Sequence, residues 1–114
     1  MKWEMNGSCG NSPKNQMLID WLQDYIEENE NLPFITEKSE IIYKSESILL
    51  SEFSIPTGIS EMSLDTAITH GRDGALLGKA ILDKESYPFA LFFKFSLGKQ
   101  PKIKTVTCIV DSAE

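Results

Sequence analysis

Little in this sequence supports metal or redox chemistry. Its 114 residues hold two cysteines and one histidine, and Cys9 and Cys108 lie 99 positions apart. Structural zinc sites draw their ligands from close pairs such as Cys-x-x-Cys, so Cys9, Cys108 and His70 do not make a metal site. No metal and no cofactor is expected. Also missing is any apolar run near the ~20 residues of a membrane span, and the N-terminus lacks the basic-then-apolar pattern of a secretory signal. A cytoplasmic location without a membrane partner, and with free thiols, follows by default. A basic excess is lacking too. Residues 1–60 carry four Lys and ten Asp or Glu, net −6, whereas residues 61–114 carry seven basic and seven acidic residues, net zero. Phosphate contacts supply most nucleic-acid affinity, so this balance disfavours a nucleic-acid partner. Lys94, Lys102 and Lys104 read as outward residues that blunt an exposed strand pair.

What is present is a dense run of strand signals in the last third. Met62–His70, Ala75–Leu82, Tyr87–Ser96 and Lys102–Val110 are separated by short turn-like links, the spacing of consecutive hairpins. The third segment places Tyr87, Phe89, Leu91, Phe93 and Phe95 on one face and Ala90 and Phe92 on the other. A strand apolar on both faces needs both covered. In the first segment, strict alternation would put Met62, Leu64, Thr66, Ile68 and His70 on one face. Upstream, Lys2 to Asn6 reads as a short strand, and Ser12-Pro13 as a helix start with Ser as N-cap and Pro at the first helical position. Met17, Leu18, Trp21, Leu22, Tyr25 and Ile26 follow at helical spacing and form one apolar stripe. The helix is expected to run to Asn29, fray through Asn31 and stop before Pro33. Glu40–Lys44 and Ile48–Phe53 read as short strands, and Ile55–Gly58 as a turn. The whole is one domain, residues 1–114, of α+β class: a long N-terminal helix on a strongly curved, mainly antiparallel sheet that ends in a four-strand meander.

Chemistry-bearing groups are few. Gly71–Lys79 does not meet the Walker pattern: Asp73 stands where the first glycine belongs and Ala80 where Ser or Thr belongs. Gly78 instead suggests a bend or close approach inside a strand. His70 is the candidate catalytic residue, a general acid or base at the rim of an apolar pocket; the plainer reading is a histidine satisfied by the adjoining turn. Asp65 would point away from the apolar face, and Tyr43 and Tyr87 are the hydroxyl donors available to a ligand oxygen. If Leu64, Ile68 and His70 line a cavity, then Tyr87, Phe89, Leu91, Phe93 and Phe95 are the candidates for its facing wall, although alternation alone does not say which face of that strand turns inward. Such a lining favours flat or ring-shaped apolar molecules over sugars or nucleotides.

Trp3-Glu4-Met5-Asn6-Gly7, Thr69-His70-Gly71-Arg72-Asp73-Gly74-Ala75, Tyr87-Pro88-Phe89-Ala90, Phe93-Lys94-Phe95 and Lys102-Ile103-Lys104-Thr105-Val106-Thr107 occur in an order and spacing that resemble the nuclear transport factor 2-like superfamily. That group includes polyketide cyclase-like and steroid isomerase-like proteins and small bacterial members without assigned activity. The resemblance implies a cystatin-like cone, a curved sheet wrapped on helices, with an apolar pocket and frequent dimers. Two departures stand out. Such proteins place one or two helices before the Trp3 strand, so either Ser12–Asn29 stands in for the long first helix or the chain is shortened and its pocket partly open. Relatives also often carry an acidic residue in the third meander strand, where Leu91 and Phe92 stand here, so no catalytic carboxylate transfers. Three functions are expected in turn: a pocket protein binding an apolar small molecule; a cofactor-free isomerase, cyclase or hydratase using His70, with Tyr87 or Tyr43 orienting a carbonyl; and a ligand-free interaction module. A homodimer through the outer sheet face is expected because Ala90 and Phe92 need cover that one helix cannot give.

Overall fold

A computed structural model describes residues 2–5, 13–27, 35–53, 58–96 and 102–110. The expected Ser12 cap, the stop before Pro33, the turn around Pro56 and the 97–101 link lie outside the described residues. In chain order the elements are β1 (Lys2–Met5), α1 (Pro13–Ile26), β2 (Ile35–Tyr43), β3 (Glu46–Leu49), β4 (Ile59–His70), β5 (Asp73–Leu82), β6 (Glu85–Phe95) and β7 (Ile103–Val110). They form a seven-stranded sheet in the order β1-β4-β5-β6-β7-β2-β3, with α1 packed over β4 and β5.

The expected meander is β4 to β7, antiparallel throughout. The β5–β6 turn is tighter than anticipated: β5 runs to Leu82 and β6 starts at Glu85, leaving Asp83 and Lys84 at φ +49° and +68°. Two successive left-handed residues twist a hairpin in the same sense as its strands. Lys44 and Ser45, at φ +51° and +67°, do the same between β2 and β3. The sheet is mainly antiparallel, as expected, yet mixed: among the described residues four of the six strand pairings are antiparallel, while β1 joins β4 and β2 joins β7 in parallel. Local turn signals do not encode either of those long-range pairings. β2 also starts earlier than expected, at Ile35, with Ser39 buried and its hydroxyl donating to the Ile103 carbonyl at 2.6 Å.

The helix is shorter than expected, 14 residues ending at Ile26. Acidic side chains accumulate where its carbonyls are exposed, and none of the last-turn residues is basic, so the end lacks charge compensation. Leu18, Trp21 and Leu22 are buried as the stripe requires, and Ile19, which the stripe did not include, is buried with them. The N-terminal turns of α1 are tied to β4: Asn15 Nδ2 donates to the Ala67 carbonyl at 2.9 Å, and Thr69 Oγ1 donates to Asn15 Oδ1 at 2.9 Å.

The decisive local feature is a break in register within β4. Leu64 pairs with Gly78 and Thr66 with Leu77, which leaves Asp65 as an extra residue. A bulge of this kind re-aims every side chain beyond it. Met62 and Leu64 point inward before it; after it Ala67 is the buried residue and Ile68 is 55% exposed. The expectation that Met62, Leu64, Thr66, Ile68 and His70 share a face is therefore corrected: the face changes at Asp65. Gly78 sits opposite the bulge. A Cβ there would stand 2.2 Å from the Ser63 carbonyl oxygen and 3.2 Å from Phe89 Cζ, so the close approach anticipated at Gly78 is real.

Candidate functional site

Between α1 and the concave face of the sheet lies a cavity of about 410 Å³. The helix contributes Trp21, Leu22, Tyr25 and Ile26, the residues of its stripe that lie nearest its C-terminal end. The sheet contributes Tyr87, Phe89 and Leu91 from β6, with Cys108 and Val110 beside them on β7. Tyr43 extends this row, since it pairs with Cys108, which pairs with Leu91. Ile41, Phe53, Ile59, Met62, Ala80 and Leu82 also line it. Among the described residues, every one that lines the cavity is apolar, a tyrosine or a cysteine, and none of them carries a formal charge at neutral pH.

Aromatic contacts fix the helix wall. Trp21 stacks on Tyr25 with centroids 5.1 Å apart and meets Phe93 edge-on at 5.4 Å. The Tyr25 hydroxyl donates to the Leu50 carbonyl at 2.8 Å, and burial pushes its pKa up to about 12. It is a neutral phenol whose proton is already committed. Tyr87 donates to Glu85 Oε2 at 2.9 Å. Tyr43 meets Phe53 edge-on at 5.9 Å, with the Lys44 ammonium 5.5 Å from its ring centroid. Burial also pushes the Cys108 thiol up, which keeps it protonated and a poor nucleophile.

The proposed site residues divide. Tyr87, Phe89 and Leu91 line the cavity. Leu64 and Phe93 are core residues at 0% and 1% exposure, packed among other side chains rather than bordering the cavity. Ile68 and His70 are exposed and lie beyond the bulge, away from the lining. His70 instead pairs with Asp73 across the β4–β5 turn. Asp73 holds a 2.6 Å ion pair with Lys94, and that hydrogen bond and charge, with smaller contributions from Arg72 and His70, lower its pKa. This exposed hairpin tip is a charged cluster separate from the cavity. Asp65 is the bulge residue and does not line the cavity either. Sequence reasoning treated Trp21, Leu22, Tyr25 and Ile26 as a core face only. The available signal was Tyr25, whose hydroxyl on an apolar stripe must meet either a backbone acceptor or an opening.

Solved structures with the same architecture are numerous, although no protein-family model and no curated protein matches the sequence. A nuclear transport factor 2-like protein of unknown function from Burkholderia xenovorans LB400 superposes with a TM-score of 0.72 at 12% identity, over 95% of this chain and 89% of its own. A Kribbella flavida DSM 17836 protein provisionally named a ketosteroid isomerase gives 0.66 at 12%, over 87% and 78%. A Silicibacter pomeroyi DSS-3 protein with a cystatin-like fold gives 0.65 at 11%, over 85% and 74%. The chain has the nuclear transport factor 2-like fold: α+β, with one helix among the described residues packed on a curved mixed sheet. Among the described residues no helix is long and apolar enough to cross a membrane, and no three His, Cys, Asp or Glu side chains come together as a metal group.

Proposed function

We propose that this protein binds an apolar small molecule between its helix and its sheet. The observation that carries the reading is the cavity of about 410 Å³ with an uncharged, largely aromatic and aliphatic lining, within the ~300–1,000 Å³ usual for ligand sites. A catalytic reading by analogy with the isomerase-like neighbour has less support. Proton transfer needs an acid or base within hydrogen-bond reach of the reacting atom, and among the described residues the lining includes no carboxylate and no imidazole. Native mass spectrometry of freshly purified protein tests the proposal, together with titration of an environment-sensitive apolar dye. A retained small molecule, or saturable dye binding lost in Leu91→Arg, is the expected result. No retained mass and no saturable dye binding would overturn it.

We propose further that two copies pair through the convex face of the sheet. Ile68, Leu77, Phe92 and Ile109 are each between 40% and 56% exposed there. The register makes them neighbours: Leu77 is opposite Ala90 and Ala90 opposite Ile109, while Ala75 lies between Ile68 and Phe92. A contiguous patch of this kind favours self-association. Sedimentation should show a dimer at micromolar concentration that Phe92→Glu dissociates; a wild-type monomer would refute it. This face also supports the reading as an interaction module, which would need no ligand in the cavity.

A further inference from the structure

The depth of the cavity is set largely by one strand, which points to the residue that selects the ligand, an inference that rests on the pocket reading above. β5 turns Leu76, Gly78, Ala80 and Leu82 to the concave face, with Leu77 and Lys79 exposed on the other. Its pairing with β6 runs without a break in register, so the alternation holds along the whole strand. Two consecutive inward positions are therefore small, between two leucines, and form a trough in the sheet. Gly78 is required by the backbone, because a Cβ there would run into the Ser63 carbonyl at the bulge. Phe89, directly opposite on β6, uses the space. Opposed side chains start with their Cβ atoms about 4.5–5.5 Å apart, and an upright ring would carry its tip further away. Phe89 Cζ instead lies 3.2 Å from the Cβ position of Gly78, so the ring has tipped across the strand gap and filled that end of the trough.

At Ala80 the backbone makes no such demand. Its partners, Met62 and Tyr87, belong to regular stretches of ladder, and alanine is a weak strand former. Ala80 is half-buried and lines the cavity together with both of them, so its short side chain leaves the floor low beneath the open space. The strands on either side, β4 and β6, are two strand spacings apart, about 9–10 Å. An alkyl chain would leave much of that width without contacts, whereas a fused ring system would use it. We propose that Ala80 is the specificity-determining residue of the cavity, keeping its floor low enough for a bulky, fused-ring apolar molecule, with Phe89 tilted over Gly78 as the boundary of that space.

Fluorescence titrations with naphthalene and pyrene test this, the ratio of their affinities being the readout. In Ala80→Leu the preference for pyrene over naphthalene should fall by about tenfold or more. In Lys79→Leu, which adds the same side chain one residue away on the exposed face, the ratio should stay as in the wild type. The methyl resonance of Ala80 in ¹³C-alanine-labelled protein needs no variant. Pyrene should shift it by ring current while that of Ala90, on the opposite face of the sheet, stays; should Ala80→Leu fail to fold, this resonance decides alone. An unchanged ratio in Ala80→Leu, or an unmoved Ala80 methyl, with both probes bound saturably, would overturn the inference and leave the pocket reading standing. Tighter binding of 1-decanol than of pyrene, measured by displacement, would overturn it in favour of a chain ligand. Saturable binding of none of the three would overturn both.

Discussion

Phe92 and Phe93 are adjacent on β6 and chemically identical, yet one is 45% exposed and the other 1%. They stand for the two faces of the sheet. On the concave face Leu64, Leu76, Phe93 and Val106 are fully enclosed, and on the convex face Ile68, Leu77, Phe92 and Ile109 are open. Strand composition does not separate the two faces; coverage does, because α1 packs on one side only. The concave face also subdivides. Near the N-terminal half of α1 it is filled by Leu18, Phe93 and Phe95, with Gly74 against them, while towards the C-terminal end of α1 it opens into the cavity. The contrast therefore assigns the core, the cavity and the proposed dimer surface to three regions of one sheet.

The sharpest test of that contrast is a matched pair of truncations. Phe93→Ala should cost about 3–5 kcal/mol, as for other large aromatic side chains deleted from a packed core. Phe92→Ala, followed by urea unfolding at a concentration low enough for monomers, should cost under about 1 kcal/mol. Comparable losses from both would mean that the convex face is covered within the monomer. The next largest effect is expected at Gly78→Ala. The new methyl would meet the Ser63 carbonyl and Phe89, so β4 and β5 must separate at the bulge, at a cost of about 2–3 kcal/mol. Unchanged stability in that variant would show that the bulge gives way easily, and the reversal of faces beyond Asp65 would then not be structurally fixed.

That reversal also explains which features could be read from the sequence. The meander was legible because its hairpins are local: Gly71-Arg72 and Asp83-Lys84 mark turns, and alternation in β6 runs unbroken from Tyr87 to Phe95. Alternation thus groups Tyr87, Phe89 and Leu91 on one face; that this face borders the cavity comes from the structure. Alternation failed in β4, where Asp65 adds a residue that no composition signal announces, and with it went the inward placement of Ile68 and His70. Phe93 shares the face of Tyr87, Phe89 and Leu91 but lies at a different depth, since Trp21 packs edge-on against it and it belongs to the buried core. Depth along a strand depends on where the helix crosses, which periodicity does not encode. The parallel pairing of β2 with β7 lay beyond reach for a related reason: it joins residues 65 to 68 positions apart, and no single local turn signals it.

The smallest expected effect concerns the boundary between the filled and open parts of the concave face, where Tyr25 joins the helix to the segment after β3. Tyr25→Phe removes the hydroxyl that donates to the Leu50 carbonyl and should cost about 1 kcal/mol at neutral pH, the usual worth of one such bond. Its pH dependence has a defined sign. Burial raises the folded-state pKa from 10.0 to about 12, so the folded protein keeps a proton that the unfolded chain releases. The stabilisation from this group is complete below pH 10 and is lost as pH rises through about 12. Other groups titrate in that range, lysines among them, so the informative quantity is the difference between wild type and variant in urea midpoint. That difference should be flat from pH 7 to 9 and shrink steadily above 10. A difference that stays constant to pH 12 would place the hydroxyl in contact with water, and the helix wall of the cavity would then be wetter than its lining implies.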